Sequence, residues 1–243
     1  MYKMKFLCGE SYCINDFISL RIPLLQEIKE FGDEEYLNAV YQFCSTPSDF
    51  KLVLHDAGMN YGEIDDYEFF LMIYRQFSER DKQGLRLVFG DFDITKFELS
   101  EEPNPVTGEY YLALDDKIFD KAVYLRVVDI LRQTHNFARR ADKPGNEHTY
   151  KYTIEKERRR LKYQRKEKKE DRFFPLIVAL VNTAEFKYDY TSVWSLNIYQ
   201  FYQSVKQIQK NKDFNYVMQG IYGGTVDSKK INMDKIHWLN GSV

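Results

Sequence analysis

Two aspartates that follow an apolar run are the residues best suited to metal chemistry. Asp91 and Asp93 come directly after a predicted strand, and carboxylate oxygens are ligands that divalent cations prefer. A two-metal nuclease also needs a further acid and an orienting lysine, which Glu185 and Lys187 could supply. The ordinary alternative is turn chemistry, because aspartate commonly caps a turn through hydrogen bonds to its own backbone. The sequence favours the turn role and leaves a metal-dependent nuclease as a remote hypothesis.

The other residue types that carry chemistry are not spaced as in known sites. The four histidines are dispersed along the sequence, and it has neither a Cys-x-x-Cys pair nor a glycine-rich phosphate-binding motif. Three cysteines are an odd and sparse set, which indicates buried thiols in reducing surroundings rather than a disulfide framework. We therefore predict a protein with no enzymatic activity, no catalytic residues, no metal site and no cofactor.

Charge divides the chain into two unequal halves. Residues 1–135 hold 14 Lys and Arg against 25 Asp and Glu, whereas residues 136–243 hold 21 against 12. Much of the positive excess lies within residues 151–172, which have 11 basic and 5 acidic side chains and few apolar ones. Such a segment is typical of an exposed helix or a partly disordered connector.

The basic segment has two interpretations. Closely spaced cations displace counterions from nucleic acid, so the segment could bind phosphates. The simpler interpretation is a solvated helix that docks on the acidic N-terminal half, because its own opposite charges only partly neutralise it. The basic patch under the first interpretation consists of Arg158, Arg159, Arg160, Lys162, Arg165, Lys166, Lys168 and Lys169.

The elements that would position these residues are mostly helical. Apolar spacing predicts helices near 23–31, 35–44, 50–56 and 65–80, another behind Asp115 and Asp116, and one beginning at Pro175. Extended structure is expected in the opening 16 residues, at Leu85 to Phe89, and in a hairpin around residues 97–114. We predict a mainly α (α+β) fold with a small β-hairpin insertion in the N-terminal half. The expected domains are an acidic one over 1–136, a loop and basic connector over 137–172, and a helical one over 173–243.

The clearest helical pattern lies in the C-terminal part. Apolar residues spaced by 4, 3, 4 and 3 form a seam that another element must cover, and a short final helix is expected from Asp213 to Gln219. Most such seams are intramolecular core, and the alternative is a surface that contacts a partner. The seam, widened by Tyr202, consists of Trp194, Ile198, Phe201, Val205 and Ile208.

Membrane insertion and secretion are not expected from the sequence. The longest apolar run, from Pro175 to Val181, is far shorter than the roughly 20 residues that cross a bilayer. The first residues lack the apolar stretch of a secretory signal. We expect no membrane partner.

Several stretches of packing and turn residues have a familiar sequence: residues 22–28, Phe31-Gly32, 85–93 (LRLVFGDFD), 143–147 (KPGNE), 198–202, 204–206 and 218–224. In these stretches the chain resembles proteins from the tail-morphogenesis region of bacteriophages of Gram-positive hosts, often described as tail assembly chaperones or as uncharacterised tail-region proteins. The resemblance covers most of the chain.

The resemblance implies a largely helical, non-enzymatic protein that helps tail proteins to assemble. Such a protein would coat an aggregation-prone partner such as the tape measure protein, by helix-in-groove contact. It would lie in the host cytoplasm, or in the virion if it stays in the finished tail. Head-to-tail self-association of the acidic and basic halves is a further hypothesis, and a nucleic-acid-binding protein that uses residues 151–172 remains the alternative function.

Overall fold

Eleven α-helices and two small antiparallel sheets make up the residues that the structure describes, which are 2–164 and 172–239 of a computed structural model. The helices are α1 (Tyr2–Leu7), α2 (Leu25–Phe31), α3 (Asp33–Phe43), α4 (Lys51–Asp56), α5 (Asp66–Ile73), α6 (Glu79–Phe89), α7 (Lys121–Thr134), α8 (Glu147–Gln164), α9 (Phe173–Val181), α10 (Ile198–Tyr222) and α11 (Met233–Ile236). The predicted mainly α fold class with a small β-hairpin is confirmed.

Five short strands form the two sheets. Tyr12 and Cys13 of one strand pair with Leu20 and Ser19 of the next, and the second sheet has the order β3-β4-β5. The predicted hairpin corresponds to β3 and β4 of that sheet. The strands are β1 (Tyr12–Cys13), β2 (Ser19–Leu20), β3 (Glu98–Leu99), β4 (Leu112–Leu114) and β5 (Lys117–Phe119).

The expected strand at Leu85 to Phe89 is wrong, because these residues end helix α6. Leu85, Leu87 and Phe89 recur at every second position as in a strand, but Leu85 and Phe89 are four positions apart and so also share one face of a helix. The N-terminal cap distinguishes a helix from a strand here. The Ser78 hydroxyl accepts from the Asp81 backbone amide at 3.1 Å, and the Asp81 carboxylate accepts from the Ser78 amide at 2.9 Å. This reciprocal capping box begins a helix.

Three other local predictions are corrected. Among the opening residues, Tyr2–Leu7 form α1, whereas the expected extended structure is present at Tyr12–Cys13 as β1. Asp115 and Asp116 make the turn between β4 and β5, and the cap of α7 is Asp120, whose carboxylate accepts from the Val123 amide at 2.9 Å. The short helix expected from Asp213 is the interior of α10. The cysteines also differ from the expectation of buried thiols, since Cys8 and Cys13 are exposed and Cys44 is buried.

One hydrophobic cluster extends from Phe6 to Phe201 and joins the acidic half to the C-terminal helices. Its centre is aromatic: the ring of Phe70 lies 4.6 Å from Tyr124 and 5.1 Å from Phe43, measured between centroids. The Leu25 amide donates to the Leu196 carbonyl at 2.8 Å, which ties the two halves together at the backbone. The boundaries predicted at 136 and 172 stay a prediction.

A histidine lies inside this core. The Nδ1 of His135 lies 2.9 Å from the Leu131 carbonyl, which only accepts, so Nδ1 carries the proton. Nε2 then accepts from the Tyr36 hydroxyl at 2.6 Å. Burial lowers the pKa of His135 to about 4, so the imidazole is neutral at pH 7.

Helix α8 packs on a separate, smaller cluster. Ile154 is buried there against residues of α4 and α5, chiefly Leu54 and Phe69. The Tyr150 ring stacks on Tyr61 with 5.3 Å between centroids. The basic segment, as far as the structure describes it, is therefore a docked helix with one apolar face.

Helix α10 changes its apolar face half-way along. With 3.6 residues per turn, Val205 and Ile208 lie on the side of Ile198, and both pack against the main core. Phe214 and Val217 lie on roughly the opposite side. There the Phe214 ring contacts His237 at 5.2 Å between centroids, because the chain after α10 folds back along it.

Candidate interaction surfaces

An apolar groove lies between α2 and α9 and has a volume of about 460 Å³. Helix α9 lines one wall with both buried and exposed side chains. Phe173 and Ile177 are buried, whereas Phe174 is 67% exposed. Its sequence is apolar on every side, but the fold covers only one side, so the other is left to line the groove. The lining residues are Leu25, Lys29, Gly32, Asp33, Phe173, Phe174, Ile177, Val178, Tyr190 and Trp194.

Two aromatic residues that line the groove, Tyr190 and Trp194, are held by hydrogen bonds. The Trp194 indole donates to the Tyr190 carbonyl at 2.9 Å, and Asn182 donates to the Tyr190 hydroxyl at 2.8 Å. The preceding turn is fixed by Asp189, whose carboxylate accepts from the Ser192 amide and hydroxyl, both at 2.7 Å. These bonds lower the pKa of Asp189. The groove is thus formed before any partner binds.

The side chain of Lys29 lies at the edge of the groove. The Lys29 ammonium lies 4.5 Å from the centroid of the Trp194 ring, in cation–π geometry. Asp33 lines the same groove. The groove therefore combines apolar walls with both signs of charge at its edge, which is the usual arrangement of a surface that binds an amphipathic segment.

The predicted seam is split by the structure. Trp194 lies in a 3-10 turn over Ser192–Ser195 and lines the groove, whereas α10 begins only at Ile198. Ile198 and Phe201 are 0% exposed and belong to the core, so no partner can reach them in this fold. Tyr202, Val205 and Ile208 are partly buried against the same core, and burial raises the pKa of Tyr202. Trp194 is thus the one member of the predicted set that lines the groove.

The three predicted arginines of α8 are all engaged in ion pairs. Arg158 reaches across to Asp56 of α4 at 2.6 Å, and Arg159 pairs with Glu155 at 3.3 Å. Arg160 binds Glu157 with Nε at 3.1 Å from both carboxylate oxygens, and this raises the pKa of Arg160.

The carboxylate of Glu157 also anchors the helix to the body. Its side chain is 11% exposed and lies 3.8 Å from the ammonium of Lys51, which is itself buried. Lys51 has a second partner in Asp142 at 3.0 Å. The docking expected in the simpler interpretation is therefore present, with an acidic partner for each arginine.

One further residue of the predicted basic patch, Lys162, lies within the described residues. Lys162 is exposed at the end of α8. The other four residues, Arg165, Lys166, Lys168 and Lys169, lie outside the described residues.

Asp91 and Asp93 do not belong to a cluster of acids. The carboxylate of Asp93 caps the following turn, accepting from the Thr95 amide at 3.0 Å and from its hydroxyl at 2.7 Å. Asp91 and Glu185 are exposed. Within 2–164 and 172–239, no group of three or more His, Cys, Asp and Glu side chains is placed to hold a metal ion. The turn role of Asp93 is confirmed.

Sequence reasoning missed Phe174, Tyr190 and Lys29 as lining residues. The available signal was that α9 is apolar all round, although a helix at a surface needs only one apolar side. Which side the fold would leave open depends on contacts with α2, more than 140 residues away in sequence. No local pattern contains that information.

Comparison with known protein families gives a match in the C-terminal part of the chain. Residues 166–242 match the family model of the YomV second domain. The family is phage-derived and of the Bacillus phage SPBc2 type, so the match supports the predicted phage origin. No curated protein and no solved structure matches the chain. The matched range contains α9, α10 and α11, and hence one wall of the groove.

The helices of the described residues are all too short or too polar to cross a membrane. The role in tail assembly, the partners and the place in host cytoplasm or virion stay predictions.

Proposed function

We propose that this phage protein acts in tail assembly without a catalytic step, as a chaperone or tail-associated structural protein that binds other tail proteins. The observation that carries the proposal is the preformed apolar groove between α2 and α9, with Phe174 exposed in its wall. Exposed apolar surface beside oriented aromatic side chains is typical of protein-binding sites.

The groove suits an amphipathic helix. Such a helix buries residues spaced by three and four in an apolar groove, and its polar side stays in water. A tape measure protein that is not yet enclosed in a tail tube would offer such a segment, as the resemblance implies. Lys29 and Asp33 at the rim would contact charged residues that flank the apolar stripe.

The test is co-expression with the tape measure protein of the same phage, followed by measurement of the affinity in purified form. Phe174→Glu places a charge in the wall of the groove, and we expect the affinity to fall at least tenfold, because an unpaired charge would be buried in the complex. Tyr152→Glu is the matched control, since Tyr152 is also highly exposed but lies on α8. It should bind like the unaltered protein.

Other outcomes would count against the proposal. Equal binding by Phe174→Glu and the unaltered protein would show that the groove is not the contact. Binding to DNA that weakens steeply with salt and is lost when Arg158, Arg159 and Arg160 become Ala would favour the nucleic-acid alternative. Mass spectrometry of purified virions separates a chaperone, which would be absent, from a structural component.

A further inference from the structure

A second pair of surfaces on this chain is complementary in charge. The acidic hairpin, residues 98–119, comprises β3, β4, β5 and their turns, and it carries six acidic side chains against one lysine. The basic hairpin, residues 206–239, comprises the outer part of α10 and the returning chain with α11, and it carries six lysines against three aspartates.

Most of these charges form no ion pair with another described residue. In the acidic hairpin Glu109 pairs with Lys121 at 2.5 Å. Among the described residues no ion pair is formed by Glu98, Glu101, Glu102, Asp115 or Asp116. The same holds, within that part of the chain, for the lysines Lys206, Lys212, Lys229, Lys230 and Lys235.

Both hairpins also expose apolar or aromatic side chains between the charges. Val106 at the tip of the acidic hairpin is 90% exposed, and Leu99, Tyr110 and Ile118 are exposed beside it. In the basic hairpin Tyr222 is 83% exposed, and Tyr216, Trp238 and Leu239 are also exposed. Apolar contact would exclude water, and opposite charges interact more strongly where water is excluded.

The geometry points to a second copy of this chain as the occupant: we propose that the acidic hairpin of one molecule binds the basic hairpin of the next. Each copy carries both surfaces, so a single type of chain supplies the complete interface. The contact is heterologous, and its repetition gives a ring or an open array. This inference goes beyond the proposed function, since it uses neither wall of the groove.

The test is sedimentation velocity of the full chain at low and high salt. We expect species larger than the monomer at low ionic strength that dissociate towards 1 M salt, where the screening length falls to about 3 Å. A monomer under all conditions would overturn the proposal. So would an assembly whose size does not respond to salt.

Charge reversal locates the contact. The double variants Glu101→Lys/Glu102→Lys and Lys229→Glu/Lys230→Glu should each be monomeric at low salt. A mixture of the two should associate again, because the unaltered basic hairpin of the first meets the unaltered acidic hairpin of the second. Failure of the mixture to associate would contradict the proposal.

A matched control changes the same number of charges elsewhere. Glu10 and Asp16 are exposed and lie outside both hairpins. Glu10→Lys/Asp16→Lys should assemble like the unaltered protein, and its dissociation would show that net charge rather than the hairpins governs assembly. Circular dichroism verifies that each variant is folded, and the salt series on the unaltered protein tests the proposal even if a variant is not. Phe174 is unchanged throughout, so binding of a tail protein in the groove can be measured independently on the same samples.

Discussion

Helix α8 and the basic hairpin are both rich in lysine and arginine, but the fold uses their charges in opposite ways. The arginines of α8 lie against carboxylates, one of them in a neighbouring helix. Five lysines of the basic hairpin have no such partner among the described residues. Charge density in sequence therefore does not identify the surface that is available to another molecule. A cation is available to another molecule only where no acidic side chain of the same chain pairs with it.

Low pH should have the largest effect on the free energy of unfolding. It acts through His135, which lies in neither α8 nor the basic hairpin, so its contribution is measured separately from theirs. His135 is neutral in both folded and unfolded chains above pH 6.5. Between pH 6.5 and about 4 the unfolded chain binds a proton that the folded chain does not, so unfolding becomes easier as the pH falls. Below pH 4 this difference in proton binding lowers the free energy of unfolding by about 3 kcal/mol.

Urea unfolding of the unaltered protein and of His135→Gln between pH 7.5 and 4 measures this contribution. The difference in unfolding free energy between the two proteins should decrease by about 3 kcal/mol as the pH falls from 7.5 to 4. An NMR titration of the imidazole checks it directly. A His135 that titrates near 6.5 in the folded protein would contradict the assignment.

Removal of the anchoring carboxylate of α8 should have the next largest effect. Glu157→Gln keeps the size of the side chain but leaves the buried Lys51 with only Asp142 as a partner. We expect the free energy of unfolding to fall by about 2 kcal/mol, less than for a fully buried pair because Lys51 keeps one partner. Glu155→Gln in the same helix, which affects only an exposed pair, should change it by less than about 0.5 kcal/mol. Equal effects would mean that burial does not distinguish the two pairs.

The exposed salt bridge between Arg158 of α8 and Asp56 of α4 should contribute less to the free energy of unfolding. Both Arg158 and Asp56 are more than half exposed, so Arg158→Ala should cost about 0.5 kcal/mol at low salt. In 1 M salt the difference should disappear, because screening weakens exposed pairs. Thermal unfolding at the two salt concentrations measures both values. A cost that is independent of salt would indicate that the aliphatic stem of Arg158 contributes rather than its charge.

The smallest effect is expected in the basic hairpin. Lys229→Gln/Lys230→Gln removes two cations that no acid of the described chain contacts, so the unfolding free energy should change by less than about 0.3 kcal/mol. Calorimetry of the monomer in 1 M salt isolates this value from self-association. A loss as large as that of Glu157→Gln would remove the contrast between the two regions.

Local signals predicted much of the fold. The helical character of α8 and α9 and the hairpin of β3 and β4 follow from composition, apolar spacing and turn residues. The strand expected at Leu85 to Phe89 shows the limit, because a spacing of four satisfies both periods and the capping box at Ser78 was the better evidence.

The candidate surfaces were harder to predict, since they depend on distant contacts. The apolar spacing places Trp194 in a seam, but its partners in the groove, Lys29 and Phe174, come from two other elements. Likewise, the pairing of Arg158 joins residues 102 positions apart. Sequence periodicity gives the side of a helix that must be covered and is silent on which element covers it.

Helix α10 is a single rod of 25 residues, about 37 Å long, with its apolar stripe on one side near the body and on the other side near its tip. The relative direction of the two ends is therefore encoded in the number of residues between Ile208 and Phe214. One residue added in that polar interval would leave both stripes intact and rotate the tip by about 100°. Natural variation in the length of that interval would change the direction in which the tip presents its contact surface, while the side chains at both ends stay the same.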